Sequence, residues 1–266
     1  MPTEMDPIAD LVKRLNGTKK LRVWSVIITF FGDAIVPRGG SVSARTVQLL
    51  LARMGIEAGA VRTAFSRLTS DGWVVREKVG RSSYFQLSPA GLAPFEEATD
   101  RIYAPLLTTN PEGKGWRLLI REDSYPEPVI LPSASIDQDD DCFVLEGQIT
   151  RVPAWMKELR CQPDHKHSFN ALMQSFAPLD RLELAPLDAL AARCLLIHEW
   201  RRILFQFEDV APEFWADDWP QAECHRFVCG LYHDWLQASE TWMNEEARGL
   251  EGRLALPKSN LEGRFN

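Results

Sequence analysis

The sequence predicts an α+β multidomain chain, on three observations. Its 266 residues exceed the roughly 100–200 of one ordinary domain. Its 45% apolar and 25% charged side chains are the balance of a folded protein, which excludes collagen-like, disordered and membrane-embedded classes. Helical and strand periodicities alternate along it, with the charge segregated by region. The longest apolar stretch, Val23 to Phe31, is too short for a bilayer of about 30 Å, and Ser25 and Thr29 interrupt it. Glu4, Asp6 and Asp10 give the N-terminus the wrong charge for a secretory signal, so a cytoplasmic location without membrane contact is expected. Cys142, Cys161, Cys194, Cys224 and Cys229 contain no CxxC pair and read as free apolar thiols.

The elements follow in order. Lys20–Phe31 has a dense apolar stripe whose length, with the following Gly32 as a C-terminal cap, favours a buried helix. Pro37, Gly39 and Gly40 break the chain into a loop. Ser43 can cap a second helix carrying Val47, Leu50, Leu51 and Met54, which Gly55 ends. A third helix, from about Glu57 to Asp71, points Val61, Ala64, Phe65 and Leu68 at a core. Its other face, Gly59, Arg62, Thr63, Ser66, Arg67 and Ser70, is small, hydroxylated or basic and contains no acid. Trp73–Arg76 and Tyr84–Leu87 then read as short strands around a turn at Gly80, with Lys78 and Arg81 at its tip.

Charge gives these elements a direction. Lys13 to Phe85 holds thirteen bases and four acids, a net +9, whereas residues 86–266 carry −13. A basic first third on an acidic body fits either an anionic partner or a solvated helix face. Two helices joined by a short Gly-containing turn, followed by a basic hairpin, make a winged helix-turn-helix. The face of the third helix can enter a major groove, its guanidiniums reaching guanine edges or phosphates. The expected DNA contacts are Arg45, Arg62, Thr63, Ser66 and Arg67, with Lys78, Arg81 and Ser82 holding the wing. A helix-turn-helix used only for packing, or as a protein-binding scaffold, is the competing reading.

Several segments resemble the PaaX family, bacterial repressors of the phenylacetic acid degradation operon. They are Phe31-Gly32-Asp33, Pro37-Arg38-Gly39-Gly40, Val61-Arg62-Thr63-Ala64, Ser66-Arg67-Leu68, Gly72-Trp73, Arg81-Ser82-Ser83-Tyr84 and Leu87-Ser88-Pro89-Ala90-Gly91. Ala192 to Arg202, Asp218-Trp219-Pro220 and Leu231-Tyr232 extend the similarity, with gaps, to about Trp242. The resemblance implies a winged-helix DNA-binding domain at 1–103, a small ferredoxin-like α/β domain at 104–180 and a helical effector and dimerisation domain at 181–266. It also implies a homodimer on double-stranded operator DNA, released by an acyl-CoA effector, phenylacetyl-CoA. A two-fold dimer would read an inverted repeat with half-sites about 34 Å apart or a multiple of that.

Beyond the first third, Leu106–Gly115 reads as a linker, and Trp116–Ile120 and Cys142–Leu145 as buried strands. The acids between them, Asp137 and Asp139–Asp141 among them, lack calcium-loop spacing and read as a solvated loop. Pro186 and Pro220 each open a long helical pattern as first-turn prolines. His198, Trp200, Arg201 and Arg202 in the first of these are the expected effector contacts, Arg for phosphate and aromatic rings for the phenyl group; packing is the alternative. No GxSxG, Walker A, GxGxxG or HExxH motif is present, so no enzyme and no cofactor or metal is expected. The rival is a metal-assisted hydrolase built on Cys161, His165 and His167.

Overall fold

The computed structural model describes residues 6–18, 20–106, 116–121, 129–132 and 142–265. Mixed helix and sheet is the observed class, with helices dominating the first and last thirds. The linker expected at Leu106–Gly115 and the acidic loop at Asp137–Asp141 lie outside the described residues, save Leu106 itself.

Helix α1 (Pro7–Thr18) is capped by Asp6, whose Oδ1 accepts the Ile8 and Ala9 N–H groups at 3.0 and 3.1 Å. Helix α2 (Val23–Phe30) is followed by helical turns over Phe31–Ile35 and Val36–Arg38. The expected stop at Gly32 is therefore corrected: the chain leaves the helical path at Gly39, whose φ of +99° suits glycine. Gly32 answers a different need, because a Cβ there would fall inside the Phe95 ring.

Strand β1 (Ser41–Ser43) leads into α3 (Ala44–Arg53). Ser43 caps α3 as expected, its Oγ accepting the Thr46 N–H at 3.1 Å. Gly55 turns the chain at φ +73° into α4 (Ala58–Ser70). Strands β2 (Val74–Val79) and β3 (Ser82–Leu87) are longer than expected and pair in register from Val74↔Leu87 to Val79↔Ser82. Only Gly80 and Arg81 remain as the turn, with Gly80 at φ +59°, the first central position of a II′ hairpin. Lys78 is consequently in the ladder opposite Ser83 rather than at the tip. The antiparallel sheet runs β1-β3-β2, and α5 (Pro89–Ile102) begins at Ser88, which caps it and donates to the Gly72 carbonyl at 2.6 Å.

The middle third contributes β4 (Trp116–Arg121), β5 (Val129–Pro132) and β6 (Cys142–Gly147), antiparallel in the order β5-β4-β6. Both strands expected here exist, but β6 is not buried: Phe143, Val144 and Leu145 are 60%, 46% and 56% exposed. It is an edge strand of this sheet, whereas the central strand β4 buries Trp116 and Leu119. Trp116 meets the Phe214 ring edge-on at 5.5 Å.

Helices α6 (Ala154–Arg160), α7 (Pro163–Phe176), α8 (Pro186–Gln206) and α9 (Gln221–Glu245) complete the fold, with a short hairpin of β7 (Arg248–Gly249) and β8 (Gly252–Arg253). Pro186 opens α8 as a first-turn proline, whereas Pro220 is the residue before the first turn of α9. Helix α8 is the axis of the molecule. It packs on α2, α3, α5, α7 and α9, and every residue from Ala189 to Trp200 is buried. A helix apolar on one face only would leave a polar side to water; α8 is enclosed, so its polar residues must find partners inside. One hydrophobic cluster runs from Ile8 to Phe265 and joins the first-third helices to the last.

Candidate nucleic-acid interface

Helix α4 separates its faces as the sequence predicts. Val61, Ala64, Phe65 and Leu68 are buried, while Gly59, Arg62, Thr63, Ser66, Arg67 and Ser70 are exposed. The Phe65 ring stacks on Phe85 of β3 at 3.8 Å and 12°, which fixes the hairpin relative to α4. Arg45 on α3 and Lys78, Arg81 and Ser82 on the hairpin are exposed. Arg76 donates twice to the Ser83 hydroxyl, at 3.1 and 2.7 Å, bracing β2 against β3.

The exposed cations are not equivalent. Arg62 makes no hydrogen bond or ion pair with the described residues and is open to a ligand. The Arg67 guanidinium lies 5.9 Å from the Trp24 ring and 3.4 Å from the Asp71 carboxylate at the helix end. The face read as acid-free thus has one acid at its edge, in an exposed i,i+4 pair of little strength. The Thr63 hydroxyl donates to the Gly59 carbonyl at 3.1 Å, which leaves its lone pairs outward.

The four residues expected to hold an effector fall on α8 and are engaged within the protein. His198 is buried beside the Thr29 hydroxyl at 3.3 Å. The same hydroxyl lies 3.0 Å from the Ser25 carbonyl, to which it donates. Burial, then the Arg201 and Arg202 cations, push His198 down to about 3. Trp200 is buried with Nε1 donating to the Ile102 carbonyl at 3.0 Å. Arg202 pairs with Glu199 at 2.7 Å. Arg201 donates to the Ser25 hydroxyl at 2.7 Å and its carbonyl at 3.3 Å. None of the four lines either of two open grooves. One, of about 890 Å³, runs between α9 and residues 256–262; the other, of about 460 Å³, lies beside His165 and Phe207.

The Cys161, His165 and His167 set does not converge. The Cys161 thiol donates to the Phe214 carbonyl at 3.3 Å and accepts the Ala216 N–H at 3.4 Å. His165 stacks on Phe207 at 4.4 Å, and burial pulls it down to about 4. His167 is exposed. Among the described residues, no group of three or more His, Cys, Asp or Glu is placed to hold a metal. Cys161, His165 and His167 thus do not form the three-ligand set expected of a metal-assisted hydrolase.

Periodicity did not reveal a buried ionic cluster between the two ends of the chain. Asp33 accepts from Arg193 Nε at 2.8 Å, Arg264 Nη1 at 2.8 Å and the Tyr103 hydroxyl at 2.7 Å. Arg193 also reaches Glu240 at 2.9 Å, and Arg38 pairs with Glu240 from the other side. Burial opposes ionisation of Asp33, but the Arg193 and Arg264 guanidiniums outweigh it and hold the carboxyl below its ordinary range. The sequence signal was that Asp33, Arg38, Arg193 and Tyr232 each lie within a matched segment, but nothing local joins them: the partners of Asp33 are 70 to 231 positions away.

The profile of the PaaX-like protein family matches residues 22–91, and that of the PaaX-like protein C-terminal domain matches 162–245. The transcriptional repressor PaaX of Escherichia coli (strain K12) is 25% identical over 284 residues, spanning 91% of this chain and 89% of that protein. The solved uncharacterized protein Rv0674 from Mycobacterium tuberculosis aligns at a TM-score of 0.47 and 14% identity, over 75% of this chain and 91% of that one.

Proposed function

The chain belongs to the PaaX-like protein family, and from that premise we propose that it is a DNA-binding transcriptional repressor of a phenylacetate-type catabolic operon. The family is one of transcriptional repressors, not of enzymes. No helix of the described residues is long and apolar enough to cross a membrane.

On this reading α3, α4 and the β2-β3 hairpin form a winged helix-turn-helix within residues 1–103, with α4 in the major groove. The observation that carries it is the exposed basic and hydroxylated face of α4, held rigidly to a basic hairpin through the Phe65–Phe85 stack. Arg62, Arg67, Thr63 and Ser66 face the bases or phosphates. Arg45 supports them from α3, and Lys78, Arg81 and Ser82 hold the wing. The small sheet of the middle third, at 104–180, is read as ferredoxin-like, and 181–266 as the effector and dimerisation part. The protein acts as a homodimer released from DNA by an aryl-acyl-CoA such as phenylacetyl-CoA.

Fluorescence anisotropy tests this directly, with DNA from upstream of the neighbouring catabolic genes, at several salt concentrations and with or without phenylacetyl-CoA. Specific binding that weakens steeply with salt and is reversed by the thioester is the expected result. Binding no tighter than to a random duplex would overturn the DNA role.

A further inference from the structure

The register of the β2–β3 hairpin sorts its side chains onto two unlike faces. Successive residues of a strand point to opposite sides, and directly paired residues share a side. Val74, Arg76 and Lys78 therefore project with their partners Leu87, Phe85 and Ser83. That side is turned to α4, because Val74, Phe85 and Leu87 are buried and the Phe85 ring stacks on Phe65. Val75, Glu77 and Val79 project on the opposite side, where the Val79–Ser82 pair closes the turn. Val75 and Val79 are exposed, and Glu77 is the one charge on that side of the two strands. The side toward α4 thus carries two cations and no acid, and the outer side carries one acid and no cation.

On the α4 side Arg76 is held in place before any partner arrives. Its Nε and Nη2 both donate to the Ser83 hydroxyl, at 3.1 and 2.7 Å. This brace uses two of the five N–H donors of a guanidinium and leaves three outward. Arg76 is exposed, and neither it nor Lys78 pairs with an acid among the described residues. Lys78 stands directly opposite Ser83, so its ammonium is carried on the same side as the braced fork. A planar fork whose donors are fixed in advance matches phosphate geometry and loses less freedom on binding than a free side chain. The Phe65–Phe85 stack then ties this fork to α4, since Phe85 is the cross-strand partner of Arg76. A phosphate held here would have a set position relative to the bases that α4 faces, which is how backbone contacts fix register.

We propose that Arg76, positioned by Ser83 and flanked by Lys78, grips a backbone phosphate of the duplex, so that the hairpin meets DNA with the side turned to α4 and not with the Val75–Val79 side. This rests on the repressor reading above and deepens it. Arg76 is a contact residue, and Ser83 is a positioning residue that acts through it.

The test is fluorescence anisotropy of the full chain with a random-sequence duplex and with DNA from upstream of the neighbouring catabolic genes, each at several salt concentrations. Arg76→Gln should weaken both duplexes by a similar factor, about five- to tenfold, and lower the salt slope by about one. Arg76→Lys should restore the slope, which counts charge, but not the full affinity, because an ammonium lacks the fork. Ser83→Ala should weaken both duplexes about threefold, and Ser83→Thr, which keeps the hydroxyl, should bind within about twofold of wild type. Glu77→Gln, on the outer side, should change neither duplex by more than about twofold. Arg76→Gln should melt within about 2 °C of wild type, as an exposed substitution does, which separates lost contact from lost folding. Unchanged affinity and slope in Arg76→Gln would overturn the proposal. A loss confined to the upstream DNA with the slope kept would make Arg76 a base reader and also overturn it. Severalfold tightening by Glu77→Gln, with no effect of Arg76→Gln, would put the outer side on DNA and refute the assignment of faces. A wild type that binds no duplex would overturn the repressor reading along with this one, whereas duplex binding indifferent to Arg76 overturns this one alone.

Discussion

Asp33→Asn is the sharpest test of how the two ends of this chain are held together. The substitution preserves shape and removes one of two carboxylates that face three guanidiniums, those of Arg38, Arg193 and Arg264. Asp33 is 2% exposed and Arg193 0%, so water cannot replace the lost charge. Breaking a buried ion pair from one side costs about 3–5 kcal/mol, because the other charge is left uncompensated. In a chain of this size each kcal/mol lowers the melting temperature by roughly 2–4 °C, so a drop of about 6–20 °C is expected. Differential scanning calorimetry near pH 7 reads it. The pH dependence has a definite sign. The folded carboxyl is held below its unfolded value near 3.9, so its contribution is present above that pH and lost as pH falls through the folded value. Asp33→Asn should flatten the stability curve in that acid window. Asp33→Leu combined with Arg193→Met, which removes both charges, should recover at least half of the loss. A melting temperature within 2 °C of wild type for Asp33→Asn would refute the reasoning.

Three further outcomes are expected. Arg62→Ala should weaken operator binding by about 1–3 kcal/mol and relax preference at one base pair, read by anisotropy on single-base operator variants. Arg67→Ala should act less selectively, since its guanidinium is shared with Trp24 and Asp71. Arg81→Ala should weaken all duplexes alike and lower the salt slope by about one, as a phosphate contact does. Gly32→Ala should destabilise by about 1–3 kcal/mol through collision with Phe95, and Phe95→Ala should suppress that penalty in a double-mutant cycle followed by thermal melting.

The sequence by itself determined what local periodicity and local chemistry control. The Ser43 cap, the turn at Gly55, the two faces of α4 and the hairpin after it were legible because each depends on residues within about ten positions. The basic first third was legible as a count of charges. What only the tertiary structure decided depends on distant partners. Gly32 reads locally as a helix stop, yet the chain remains helical past it and the position answers to the Phe95 ring, 63 residues away. Cys142–Leu145 has the apolar run of a buried strand, but covering the faces of a strand takes partners from elsewhere in the chain, and Phe143, Val144 and Leu145 are exposed. Cys161, His165 and His167 are close in sequence and part on folding, because helix geometry turns His165 inward and His167 outward. Conversely Asp33, Arg193 and Arg264 are far apart in sequence and meet because α8, enclosed on every side, must find its charges partners inside the core. Arg201 lies on that same enclosed helix without such a partner, a difference that no spacing along the chain encodes.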